Sequence, residues 1–195
     1  MMLCCLVHSN LLQRWLMKNL VFVLGALLMM VLCGCSSCPK TPQNHGFDSL
    51  SKFKQDEMAL LLPASYELMS EHQSDEEQLW SWRGPHGLVR IQRFDAQDDM
   101  KRFQRAQVRR VQSRYKGIRT QTVPISKSWL DQEYSGSQIR VILPKVDLAL
   151  DLIFIPTEKH VYQISFQREK SKEGVINATF AAVEQLFWDS LCLKN

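Results

Sequence analysis

Six cysteines and five histidines are the side chains of this chain best suited to metal, redox or acyl chemistry. Cys4, Cys5, Cys33, Cys35 and Cys38 crowd the N-terminus, and Cys192 stands alone near the other end. A structural zinc site needs Cys or His in closely spaced pairs, and these spacings do not supply them. His45, His72, His86 and His160 are scattered, with no pair at the i, i+4 spacing of a helical metal motif, and read as surface histidines. Ser135-Gly136-Ser137 lacks the strand-to-helix setting of a nucleophile elbow and reads as a turn. Asp98-Asp99 reads as helix capping and Asp75–Glu77 as a solvated loop. There is no glycine-rich phosphate loop. The expectation is a non-enzymatic protein with no metal and no cofactor.

One charged stretch stands out. Lys101, Arg102, Arg105, Arg109, Arg110, Arg114 and Lys116 follow one another with no acidic residue between them. On a helix turning 100° per residue, Lys101, Arg102, Arg105, Arg109 and Lys116 fall within an arc of about 100°. Such a face can meet an anionic envelope component, a lipid head group or an acidic protein. The plainer reading is a solvated face whose long stems shield the sheet beneath.

The N-terminus carries the most specific signal. Lys18 precedes an apolar run from Leu20 to Leu32, broken only by Gly25 and Ala26. A positive flank, a short apolar run and a small-residue exit make an export signal, and the run is short for a membrane span. It ends in Leu32-Cys33-Gly34-Cys35, followed by Ser36-Ser37. This resembles the lipobox of bacterial lipoproteins, with Leu at −3, a small residue at −1 and the obligatory Cys at +1. Cys33 at −2 departs from the more usual Ala or Ser. The resemblance implies cleavage before Cys35 and acyl lipid such as palmitate on that cysteine. By the family's sorting rule, Ser36 implies the periplasmic face of the outer membrane. Met17-Lys18-Asn19 reads as an alternative translation start.

These features divide the chain into a signal peptide (1–34), a lipidated cysteine with a flexible tether (35–46) and one domain (47–195). Arg14 and Lys18 leave with the signal, so the net charge falls from +4 to +2. Nothing in that balance calls for nucleic acid. About 160 residues remain, enough for a core. An exported domain meets an oxidising compartment, so Cys38 and Cys192 are candidates for a disulfide, with two free thiols as the alternative.

Within the domain, Met58–Leu62 is an apolar run stopped by Pro63, followed by a strand at Tyr66–Met69 and a polar turn from Glu71 to Glu77. Leu79–Arg83 and Leu88–Phe94 alternate around Gly84-Pro85-His86-Gly87, a hairpin signal. Asp95 or Asp98 can cap a helix that runs to about Tyr115 and ends at Gly117. Strands are expected at Ile118–Ile125, Trp129–Tyr134, Gln138–Leu143, Leu148–Ile155 and His160–Phe166. The breaks fall at Lys127-Ser128, Gly136, Pro144-Lys145 and Pro156–Glu158. Leu148, Leu150, Leu152 and Phe154 alternate with Ala149, Asp151 and Ile153, fitting a sheet with one buried face. A last helix spans Lys172 to Leu191. Trp80, Trp82, Trp129 and Trp188 are expected in the core.

The order implies an α+β fold, an antiparallel β-sheet covered by helices. Over residues 56–191 it resembles the PsbP-like α/β/α sandwich shared by extrinsic photosystem subunits, a Ran-binding import factor and DcrB-like periplasmic lipoproteins. The matching features are Leu62-Pro63, the Trp-rich strand at Leu79–Trp82, the charged helix after Phe94, the strand pair Leu148–Phe166 and the end at Trp188–Leu191. The resemblance implies binding or stabilising a partner. The expected role is an accessory or binding subunit of a membrane or cell-wall complex, reaching the membrane through its lipid. The alternative is a carrier or sensor of a small apolar or anionic ligand held between sheet and helix.

Overall fold

The computed structural model describes residues 45–55, 57–74, 77–145, 147–170 and 178–193. The expected signal peptide, Cys35, Cys38 and the start of the expected last helix lie outside the described residues. Among the described residues ten strands and two helices follow in chain order: β1 (Leu50–Gln55), β2 (Met58–Pro63), β3 (Glu67–Gln73), β4 (Glu77–Gly84), β5 (Gly87–Asp95), α1 (Met100–Ser113), β6 (Thr120–Trp129), β7 (Gln132–Ile142), β8 (Asp147–Pro156), β9 (His160–Lys170), α2 (Ala178–Ser190) and β10 (Cys192–Leu193). The fold is α+β.

Seven strands form one antiparallel sheet in the order β3-β4-β5-β9-β8-β7-β6, and β1-β2-β10 form a second. The large sheet is a middle layer. On one face α1 lays Phe103 and Val111 against Ile139, Val141, Leu152, Phe154 and Val161. On the other, α2 and the small sheet bury Phe180, Val183, Phe187 and Leu60 against Trp80, Trp82, Ile91, Ile164 and Phe166. All four expected core tryptophans are buried there. The period of two therefore sends alternate residues of the central strands into two different cores.

That arrangement corrects the expectation of one buried face. In β8, Leu152 and Phe154 belong to the α1 core while Ile153 and Ile155 belong to the α2 core. A strand covered on both sides reads as an apolar run, as fully buried strands do.

The three strands expected between Ile118 and Leu143 are two. β6 runs through Lys127-Ser128, and β7 runs through Ser135-Gly136-Ser137. The turn sits instead at Leu130 and Asp131, both at positive φ (48° and 60°). Gly136 is inside a strand because a Cβ there would lie 2.3 Å from the Leu152 carbonyl oxygen. It permits close backbone approach rather than a turn. β3 continues to Gln73, through part of the expected polar turn.

α1 is capped by Asp99 of the Asp98-Asp99 pair that reads as helix capping, rather than by Asp95 or Asp98: the Asp99 Oδ1 accepts from the Arg102 backbone N–H at 2.9 Å. This satisfies one of the orphan donors of the first turn. The helix stops at Ser113, with Arg114 as its cap and Gly117 at φ +80° just beyond. The far end of α2 is stitched to its surroundings. Ser190 Oγ accepts from the Leu61 backbone N–H at 2.9 Å, and Trp129 Nε1 donates to the Trp188 carbonyl at 3.0 Å. His45 Nε2 lies 2.7 Å from Asp189 Oδ2.

Candidate functional site

Lys101, Arg102, Arg105 and Arg109 are exposed along α1, as the helical arc required. Lys116 is also exposed, but it lies past the helix end in the turn 114–117, so its place in that arc is corrected. Arg110, the next residue after Arg109, pairs with Glu77 at 3.1 Å. Gln104 and Gln112 tie the helix to Ser135 and Thr122 at 2.9 Å each. These polar ties hold α1 so that its basic stripe faces outward.

Cys192 sits on β10 opposite Ala59 and is disulfide-bonded. Every other cysteine lies outside the described residues. His45, His86 and His160 are only partly exposed, so they are not plain surface residues. His45 is partly buried against Asp189, and His160 Nε2 lies 3.6 Å from Glu57 Oε2. Among the described residues no group of three or more His, Cys, Asp and Glu could hold a metal, and no helix is long and apolar enough to cross a membrane.

The structure also assembles a site whose residues sequence reasoning passed over. Where α1 ends, Val111, Arg114 and Tyr115 overhang the central strands and enclose a recess of about 80 Å³. Its floor carries Arg90 and Gln92 from β5 and Gln163 and Ser165 from β9. These residues alternate with Val89, Ile91, Ile164 and Phe166 of the opposite core. From sequence that alternation looks like a solvated face; the end of α1 converts it into a covered one.

The polar contacts here are specific. Arg90 Nε donates to Ser81 Oγ at 3.1 Å. Gln163 Nε2 donates to Gln92 Oε1 at 2.9 Å, while Gln163 Oε1 is buried with no partner. Burial pulls the Arg90 pKa below its ordinary value and the Arg114 charge pulls it further down, with Tyr115 acting the other way. Arginine keeps its proton in proteins, so the shift reports first the burial of Arg90 and second the neighbouring Arg114 charge. None of the residues lining the recess is acidic. A second hollow of about 310 Å³, bounded by the β4–β5 hairpin and Leu148, shares Leu88 and Gln167 with this recess.

On the opposite face lies a buried ionic cluster. Arg168 Nη2 meets Asp151 Oδ2 at 2.6 Å, and Gln138 Nε2 donates to Asp151 Oδ1 at 2.7 Å. Glu184 of α2 lies 3.8 Å from Arg168 Nη1. Burial raises the Glu184 pKa; Arg168 opposes this, and Asp151 adds to it.

No protein-family model matches the chain, and no curated protein matches it in sequence. Among solved structures it is similar to a protein from Bacteroides thetaiotaomicron VPI-5482 solved at 1.50 Å, with a TM-score of 0.45 and 14% identity. The match covers 74% of this chain and 48% of that one. The chain thus spans about half the length of that protein.

Proposed function

We propose that this chain is a membrane-anchored envelope lipoprotein whose domain, in this reading a PsbP-like α/β/α sandwich, works as a non-enzymatic accessory or binding subunit of a membrane or cell-wall complex. The anchor rests on the order of apolar run, Gly34 and Cys35. The binding role is carried by one observation: Lys101, Arg102, Arg105 and Arg109 are exposed in a row on α1, and no ion pair among the described residues engages them. Near an anionic membrane each such residue is worth about 1 kcal/mol, so the stripe would orient an already tethered domain.

Cys35→Ser tests the anchor. It should abolish lipidation and leave uncleaved precursor; release of a normally processed, soluble Cys35→Ser protein would refute the lipoprotein reading. Cross-linking of the lipidated protein in envelopes then reports its neighbours.

The recess under the end of α1 favours a second reading, a carrier or sensor of a small anionic ligand. Two arginines and a buried, half-satisfied glutamine amide line a cavity between helix and sheet. Ligand sites typically combine a concave surface with a few convergent polar groups in this way.

A further inference from the structure

The β6–β7 hairpin ends in a turn that local physics does not favour. Leu130 and Asp131 both take positive φ, 48° and 60°, in the kind of turn that suits glycine, asparagine and aspartate. Asp131 fits that rule. Leu130 does not, because a bulky side chain crowds its own backbone there. Packing does not explain it either. Leu130 is 40% exposed, against 7% for Trp129 before it, and it belongs to neither core. Its neighbours Ser128, Asp131, Gln132 and Glu133 are exposed and polar. A bulky residue held in strain where it adds nothing to the core is the kind that function retains.

The place of this tip in the fold indicates what it meets. Trp129 Nε1 donates to the Trp188 carbonyl at 3.0 Å, and the next residue, Asp189, holds His45 at 2.7 Å. Lys127 Nζ lies 5.5 Å from the centre of the Trp188 ring. The tip is thus clamped to the end of α2, beside the point where the expected tether joins the domain. The ten residues from Cys35 to His45 span at most about 35 Å, so a membrane holding the lipid comes within reach of Leu130.

The basic stripe leads to the same end. Gln104 bonds Ser135, close to the hairpin turn, while Gln112 bonds Thr122, farther up β6. The start of α1, with exposed Lys101 and Arg102, therefore lies toward the turn end of the hairpin.

We propose that the β6–β7 tip is a membrane contact: Leu130 enters the head-group boundary of the bilayer that holds the Cys35 lipid, while Lys101 and Arg102 face its phosphates. Ser128, Asp131 and Gln132 keep the insertion shallow, as a single apolar side chain among polar ones requires. The proposal rests on the lipid anchor given above and names the surface which that anchor brings to the membrane.

The test uses the full chain purified from membranes, its anchor read independently from the mass of its N-terminal peptide. A fluorophore is placed on Ser128→Cys, beside the tip, or on Lys116→Cys, beyond the far end of α1. Each protein is reconstituted into phosphatidylcholine–phosphatidylglycerol vesicles containing a spin-labelled lipid as quencher. Quenching at 128 should exceed that at 116 by about twofold or more, and Leu130→Asn should lower it to the level at 116. Because asparagine tolerates positive φ, Leu130→Asn should also unfold in detergent at a temperature equal to or above that of wild type. Equal quenching at the two positions overturns the contact. Undiminished quenching in Leu130→Asn overturns the role of Leu130, and a lowered unfolding temperature assigns that residue to packing instead. Quenching at 128 that falls as protein density rises at constant lipid gives the tip to a second copy and also overturns the proposal. A lipidated chain with an unquenched tip removes this contact alone, whereas a chain with no lipid on Cys35 removes the anchor and the contact together.

Discussion

Arg168 and Asp151 meet at 2.6 Å between β9 and β8, each side chain less than a tenth exposed. Glu184 reaches the same guanidinium from α2 at 3.8 Å, and the Phe180 ring lies 5.6 Å from its central carbon. One cation therefore serves two carboxylates inside an otherwise apolar layer.

The cluster should respond asymmetrically to mutation. Arg168→Met strands two carboxylates, and losing one partner of a buried pair costs about 3–5 kcal/mol. Asp151→Asn leaves Arg168 with Glu184 and keeps a hydrogen-bonding group beside Gln138, so it should cost less. The double variant Arg168→Met/Asp151→Leu should recover part of the loss. Urea unfolding of the three proteins checks this ranking, and an Arg168→Met protein more stable than Asp151→Asn would contradict it.

Glu184 gives the cluster a pH dependence. Its folded-state pKa is raised, chiefly by burial, so the native state holds this proton more tightly than the unfolded chain. Its contribution to stability is fully present below the unfolded carboxyl value, about 4.3, and is lost as pH rises through the folded value. Glu184→Gln should remove that decline. Denaturation curves at a series of pH values should show wild type and variant diverging upward from the acid end. Parallel curves would place the titration elsewhere.

Cys192 is disulfide-bonded, and Cys38 is the partner we expect. His45 is held against Asp189, three residues before Cys192. The seven residues from Cys38 to His45 span at most about 25 Å, so the two sulfurs are within reach. In protein recovered from an oxidising compartment, Cys192 should resist alkylation until reductant is added, and Cys38→Ser should expose it. The variant should lose up to about 4–5 kcal/mol, the scale for a loop of 100 residues or more. An alkylation-resistant Cys192 in Cys38→Ser would point to another cysteine.

The basic stripe is tested by charge reversal. Arg105→Glu/Arg109→Glu alters two exposed positions and spares buried Phe103 and Val111. Thermal unfolding should therefore change little. Attachment of the domain made without signal peptide and lipid (residues 36–195) to anionic vesicles should be lost in the double variant, and without the reversals should weaken with salt as the Debye length shrinks. Equal attachment of both proteins at low salt would reduce the stripe to a solvated face.

Much of this architecture is visible in the sequence, and the misses have physical causes. The β4–β5 hairpin announces itself through Gly84–Gly87 between alternating strands. The β6–β7 turn does not, because Leu130 and Asp131 take positive φ without glycine. Gly136 misleads in the opposite sense, being demanded by Leu152 across the strand pair. β1, Leu50–Gln55, has too few apolar residues to be recognised without its partner β2. The basic stripe was legible because it depends only on helical period. The recess was not, because Arg90 and Gln163 are brought together by the pairing of β5 with β9 and roofed by residues just beyond α1.

That same pairing governs how the sheet can be assembled. β3, β4 and β5 form one meander, and β6 to β9 another, each joined by neighbouring hairpins. Only β5 and β9 connect them, with Asp95 opposite His160 and Leu88 opposite Gln167, separations of 65 and 79 residues. Hairpins close in microseconds, whereas distant strands must first meet the entropy of a long loop. A chain emerging N-terminus first completes its first meander early and then waits, the edge of β5 unpaired, until His160–Lys170 arrives. Within the large sheet the β5–β9 seam is thus the last pairing to form, and a place where a nascent chain is open to the wrong strand.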